Sequence, residues 1–265
     1  WRCRNIDSRT VEGTDRGTFD KIIAQYGEES DEARVEVKGE FPNQGSNQFI
    51  GKDAAFNAQT REIMYDPGAP LVMGVDVARF GEDKSVIAFR KGRDARSIPW
   101  QKFKGIDTVQ LAGIVADLAG KMKVNAIFVD GNGVGGGVVD NLKAWGYKVV
   151  EVQMGSSPTD SDTYYNKRVE IWGRLREWLA TGAIPNDSEL FTDLISPEYS
   201  YHPVSNKIQL EGKDHMKSRG LASPDAAEAL AMTFAQPVAR MDTHASRNNS
   251  RRNRIAKDVD YDIFG

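Results

Sequence analysis

From residue 71 to residue 104 apolar residues fall in short, regular runs, and the interruptions are too short to hold a helix. The pattern predicts three strands, at 71–78, about 85–91 and about 97–104. Gly81-Glu-Asp83 and Gly92-Arg-Asp94 separate them, and such short breaks favour antiparallel hairpins. After residue 104 the rhythm changes. Asp107 is placed to cap an amphipathic helix that turns Val109, Leu111, Ile114, Val115 and Leu118 inward. Ala126-Ile-Phe-Val-Asp130 has the short apolar run of a strand buried in a parallel sheet. A glycine loop at 131–137 leads to a helix over 138–145, and a fifth strand covers 147–153. A long helix is expected over 163–180 and a hairpin over 198–211. The last helix spans 223–234, with Ser223 at the cap and Pro224 in the first helical position.

Three antiparallel strands followed by helix–strand–helix–strand crossovers is the order of a ribonuclease H-like α/β fold, a mixed central sheet with helices on both faces. In that order strand four lies beside strand one, on the side away from strand two. The period of two puts Leu71, Met73, Val75 and Val77 on one face of strand one, and Val72, Gly74 and Asp76 on the other. A carboxylate in the middle of a half-buried strand is disfavoured, and its natural partner is a cation. Asp130 closes strand four, facing Asp76. Asp225 stands in the first turn of the last helix, which Ala226, Ala227, Ala229 and Ala231 keep thin enough to lie against the sheet. Three carboxylates without histidine suit hard divalent cations, Mg²⁺ or Mn²⁺. Two such ions about 3.5–4 Å apart would support in-line hydrolysis of a phosphodiester. Asp83 is a candidate further ligand, and Glu228, one turn after Asp225, a candidate supporting residue. Each aspartate alone has a plainer reading: an edge residue for Asp76, a turn for Asp130, a helix-terminal charge for Asp225.

The remaining sequence narrows the class. The 265 residues are 40% hydrophobic and 28% charged, as in an ordinary globular protein. No apolar run approaches the roughly 20 residues of a membrane span. The single cysteine, Cys3, excludes an internal disulfide framework and fits a reducing compartment. His202, His215 and His244 lack zinc-ligand spacing, and His215 reads as a surface residue. Net charge is −3, so any contact with nucleic acid depends on local basic strips, at 213–219 and in the tail 247–257. Ahead of the strands, a helix is expected at 15–26, an edge strand at 34–38, a linker at 39–46 and a helix at 51–60. Leu175, Trp178, Leu179 and Phe234 read as core.

The segments that carry the carboxylates resemble a known family, the C-terminal nuclease domain of the large terminase subunit of tailed bacteriophages. Gly74-Val-Asp76-Val-Ala-Arg-Phe-Gly-Glu-Asp83-Lys-Ser resembles its first motif, and Phe128-Val-Asp130-Gly-Asn-Gly its second. Lys213-Asp-His-Met-Lys217-Ser-Arg219, continuing to Pro224-Asp225-Ala-Ala-Glu228, resembles its third. The opening Arg4-Asn-Ile-Asp7, with Tyr26-Gly-Glu-Glu-Ser-Asp31 and Val37-Lys-Gly-Glu-Phe-Pro42, is similar to the join with that family's ATPase. The resemblance implies a metal-dependent endodeoxyribonuclease that cuts concatemeric viral DNA during genome packaging. Asp76, Asp130 and Asp225 would be its metal ligands, with Asp83 auxiliary. Lys213, Lys217 and Arg219 would touch the phosphates of double-stranded DNA. Implied partners are the portal protein and the small terminase subunit, and the implied setting is the cytoplasm of the infected bacterial host. The implied division is an ATPase tail and linker at 1–45, the nuclease domain at 46–238 and a basic tail at 239–265. No Gly-x-x-x-x-Gly-Lys-Ser/Thr occurs, so ATP hydrolysis is not expected.

Two other readings use the same residues. A Holliday-junction resolvase, transposase or integrase would share the acidic cluster. A dinucleotide-binding domain would use Gly131-Asn-Gly133-Val-Gly-Gly136, with Glu151 on the ribose, although Asp130 would repel a pyrophosphate there.

Overall fold

The computed structural model describes residues 6–28, 33–40, 47–78 and 83–240. Most of the expected break at 81–83, residues 41–46 of the expected linker and the tail from 241 lie outside the described residues. Helix α1 (Arg16–Tyr26) starts where Asp15 accepts the Gly17 amide. The expected edge strand at 34–38 is instead a helical turn, Ala33–Val37. Its buried residues, Ala33 and Val37, are four apart, the spacing of one helical face, and Val35 is exposed. Helix α2 (Lys52–Thr60) follows as expected.

The centre is a five-stranded sheet in the order β3-β2-β1-β4-β5. Strands β1 (Leu71–Asp76), β2 (Ser85–Lys91) and β3 (Gln101–Phe103) pair antiparallel. Helix α3 (Thr108–Met122), capped by Asp107, crosses to β4 (Ala126–Asp130), which lies parallel to β1. Helix α4 (Gly135–Ala144) crosses to β5 (Val149–Val152), parallel to β4. The order of strands is thus the one the sequence implies. β3 is shorter than expected because Asp94 accepts the amides of Arg96 and Ser97, folding the chain into a turn before the strand. Val109 is 55% exposed, against expectation. It lies about 200° round the helix from Leu111, whose stripe with Ala112, Val115 and Ala119 makes the buried face.

Beyond the sheet come α5 (Lys167–Leu179), α6 (Ser188–Ile195), the hairpin β6 (Tyr199–Tyr201) and β7 (Ile208–Leu210), α7 (Lys213–Ser218) and α8 (Asp225–Met232). No sequence expectation covered α6 or α7. Two cores sandwich the sheet. Leu71, Met73 and Val75 pack with α3 and α4, whereas Val72, Ala88 and Phe128 pack with α5, α8, α2 and α6. The alternation of β1 is therefore as expected, but both faces are covered and all six residues are buried. Asp76 ends the strand; it does not stand in its middle. Among the described residues no helix is long and apolar enough to cross a membrane.

Candidate active site

Strand register brings two of the carboxylates together. β1 and β4 run parallel with Val75 opposite Val129, so one further step sets Asp76 beside Asp130 at the carboxyl ends of adjacent strands. Both fall on the face that also carries Val72 and Phe128, the face covered by α8. Gly74, two residues before Asp76, lets the helix come that close. A Cβ there would lie 2.0 Å from the Ala229 carbonyl oxygen. The same approach delivers Asp225, in the first turn of α8, to the ends of β1 and β4. Its Oδ2 accepts the Lys84 amide at 2.7 Å, which ties it to the start of β2.

The three carboxylates feel one another. Burial pushes the Asp76 carboxyl well up; Lys213 opposes the shift, and the negative charges of Glu228, Asp225 and Asp130 add to it. Burial likewise raises Asp130, against the pull of the Asn132 amide, which donates to its Oδ1 at 2.9 Å. Asp225 is pushed up to about 6, chiefly by burial, with the Lys84 amide acting in the other direction. Glu228, expected only as a supporting residue, is 1% exposed and central to this charge cluster. Burial acts against its charge, but Arg168 and Lys213 hold it below the usual carboxylate range. Arg168 Nε donates to its Oε1 at 2.7 Å, while its Oε2 is buried without a hydrogen bond.

The expected phosphate-binding cations are all engaged within the chain. Lys213 Nζ stands 3.6 Å from Glu228 Oε2 and 4.0 Å from Asp76 Oδ2. Burial opposes its charge, but Asp76, Glu228 and Asp225 together hold it protonated above the usual lysine value. Lys217 Nζ donates to Asp83 Oδ2 at 3.0 Å, farther out on the rim. Arg219 pairs with Glu198 and Glu211, and His215, exposed as expected, pairs with Glu211 too. The glycines after Asp130 have a packing reason. A Cβ on Gly135 would strike the Asp130 carbonyl oxygen, and one on Gly131 would strike the Glu151 side chain. Close passage of α4 over the end of β4 therefore accounts for Gly135 without a nucleotide, and the Glu151 side chain of β5 lies against Gly131.

Among the described residues no three His, Cys, Asp or Glu side chains form a ready-made metal site. The donor set nevertheless fits hard divalent ions in kind: carboxylate oxygens only, crowded and desolvated, with one Glu228 oxygen left without a hydrogen bond. Ions here would need Lys213 to cede its place among the carboxylates.

The architecture matches solved structures. The nuclease domain of the large terminase subunit gp2 of bacterial virus Sf6 is similar over 71% of this chain and 99% of its own, with 20% identity and a TM-score of 0.62. The fold is ribonuclease H-like. A variant of the Sf6 domain solved with manganese gives a TM-score of 0.61 at 19% identity, again over 71% and 99% of the two chains. The large terminase nuclease from thermophilic phage G20c, solved with bound magnesium, gives 0.52 at 17% identity over 73% of this chain and 99% of its own. No protein-family model matches the sequence, and no curated protein does. At these identities the ribonuclease H-like likeness speaks for the fold; the chemistry has to be argued from the residues.

Proposed function

We propose that this chain is a divalent-metal-dependent endonuclease acting on double-stranded DNA, and that it cuts concatemeric viral DNA during genome packaging. The supporting observation is the shared register of β1 and β4, which sets Asp76 beside Asp130 under the N-terminus of α8. Asp76, Asp130 and Asp225 would hold two Mg²⁺ or Mn²⁺ ions, with Asp83 at the rim. When bound, the ions supply the positive charge that activates a water and stabilises the leaving oxygen. The protein's own groups do the rest. The Lys84 amide orients Asp225, the Asn132 amide orients Asp130, and Arg168 holds Glu228 in its charged form. Lys213 balances the cluster, while Lys217 and Arg219 offer charge to the DNA backbone. The nuclease portion is 46–238, with 1–45 the join to a motor domain and 239–265 a basic tail. The portal protein and the small terminase subunit are the proposed partners, in the cytoplasm of an infected bacterium.

The test is plasmid cleavage with Mn²⁺ or Mg²⁺. Supercoiled DNA should be nicked and linearised without marked sequence preference, and a chelator should stop the reaction. Asp76→Ala and Asp225→Ala should reduce cleavage to background; activity that survives either change means the metals are placed wrongly. Preference for four-way junctions over linear duplex would favour a resolvase.

A further inference from the structure

Helix α8 carries Asp225 and Glu228, yet its own sequence does not cap it. Pro224 occupies the cap position and offers no acceptor side chain, and the Ser223 hydroxyl oxygen is buried without a hydrogen bond. The first amides of such a helix need acceptors from elsewhere. One comes from α6. Asp193 is 8% exposed, and its Oδ2 accepts the Ala226 amide at 3.0 Å. Placing a carboxylate there costs desolvation and sets it near Asp225, so the bond to the helix must compensate.

Helix α6 is itself fixed to the sheet. Asp187 caps its start through the Glu189 and Leu190 amides and accepts Lys102 Nζ at 2.6 Å. Glu189 accepts Lys102 Nζ at 2.9 Å and Lys84 Nζ at 2.7 Å, and the Lys84 amide is the one that holds Asp225. The helix thus reaches Asp225 by two routes, through the amide of the next residue and through Lys84. We infer that Asp193 is a positioning residue of the nuclease site: from outside the cluster it fixes the first turn of α8, so that Asp225 keeps its place against Asp76 and Asp130. The inference rests on the nuclease reading above, and it concerns the acceptor oxygen rather than the charge.

The experiment is Mn²⁺ binding to the full chain, followed by calorimetry, with melting of the chelated protein measured alongside. Asp193→Ala removes the acceptor and should weaken Mn²⁺ binding about tenfold, the scale on which groups that orient metal ligands act. Asp193→Asn keeps an acceptor oxygen and should stay within about threefold of the unaltered protein. Wild-type Mn²⁺ affinity in a folded Asp193→Ala protein overturns the inference. So does an Asp193→Asn protein about tenfold weaker, a result that decides the matter even if Asp193→Ala does not fold. Unaltered protein that binds no Mn²⁺ would sink the nuclease reading, and the inference with it, before any variant is compared.

Discussion

At the residue scale the cluster is an electrostatic load that the chain carries whether or not it is used. Asp225 is raised to about 6 and Asp193 to about 7, in both cases mainly by burial, and burial raises Asp76 as well. A carboxyl whose folded value exceeds its unfolded one binds more protons when folded. Its stabilising contribution is complete below the unfolded value, near 3.8, and is lost as pH rises through the folded value. Metal-free protein should therefore melt at a higher temperature near pH 5 than near pH 7, as thermal scans in chelator will show. The carboxylates held low, Glu170, Glu211, Asp187 and Glu189 among them, lose their contribution only at lower pH and do not cancel the effect in this window. Arg168 and Glu228 form a mostly buried pair, 12% and 1% exposed at the side chain. Arg168→Ala leaves a buried carboxylate without its main partner and should cost about 3–5 kcal/mol in chemical denaturation. Adding Glu228→Gln should return part of that loss. The Lys217–Asp83 pair lies at the exposed rim, where such pairs contribute about 0–1 kcal/mol. Lys217 is therefore free to exchange Asp83 for a phosphate, and Lys217→Ala should weaken DNA binding and reduce its salt slope by about 1.

At the element scale the place of Asp225 depends on how close α8 lies to β1. Gly74→Ala would drive a Cβ against helix backbone, and an overpacked core loses about 1–3 kcal/mol when its neighbours can yield. Backbone yields poorly, so α8 must shift and carry Asp225 with it. Gly74→Ala should lower both melting temperature and cleavage. Gly113→Ala, in α3 with nothing within 4 Å of the added carbon, should be neutral or stabilising. Much of this arrangement was legible in the sequence. Short breaks between strands and the apolar run ending in Asp130 determine the strand order, and the small residues of α8 let it lie against β1. The features missed are those set by partners remote in sequence. Ser223-Pro224 reads as a cap, but the cap is Asp193, which in Ser-Glu-Leu-Phe-Thr-Asp-Leu-Ile looks like any solvent-facing acid of a short helix. Arg34–Lys38 alternates as a strand does, yet the contacts available bury positions four apart, and a helical turn results. Five residues are too few for the period to decide between them.

At the scale of the whole molecule, net charge is −3, so the DNA of the proposed reaction would gain nothing from the overall field and would have to approach over the face where α7 presents Lys217. Cleavage should accordingly fall steeply with added salt while Mn²⁺ binding, buried among the carboxylates, changes little. That contrast separates a defect in DNA contact from a defect in the site. If the chain is a nuclease, the buried negative charge of Asp76, Asp130 and Asp225 takes up cations. Crystals soaked in Mn²⁺ and examined by anomalous scattering test this most directly. The expected result is density bonded to the carboxylates of Asp76, Asp130 and Asp225, with Lys213 displaced from among them. Density confined to surface carboxylates, with Lys213 still between Asp76 and Glu228, would contradict it.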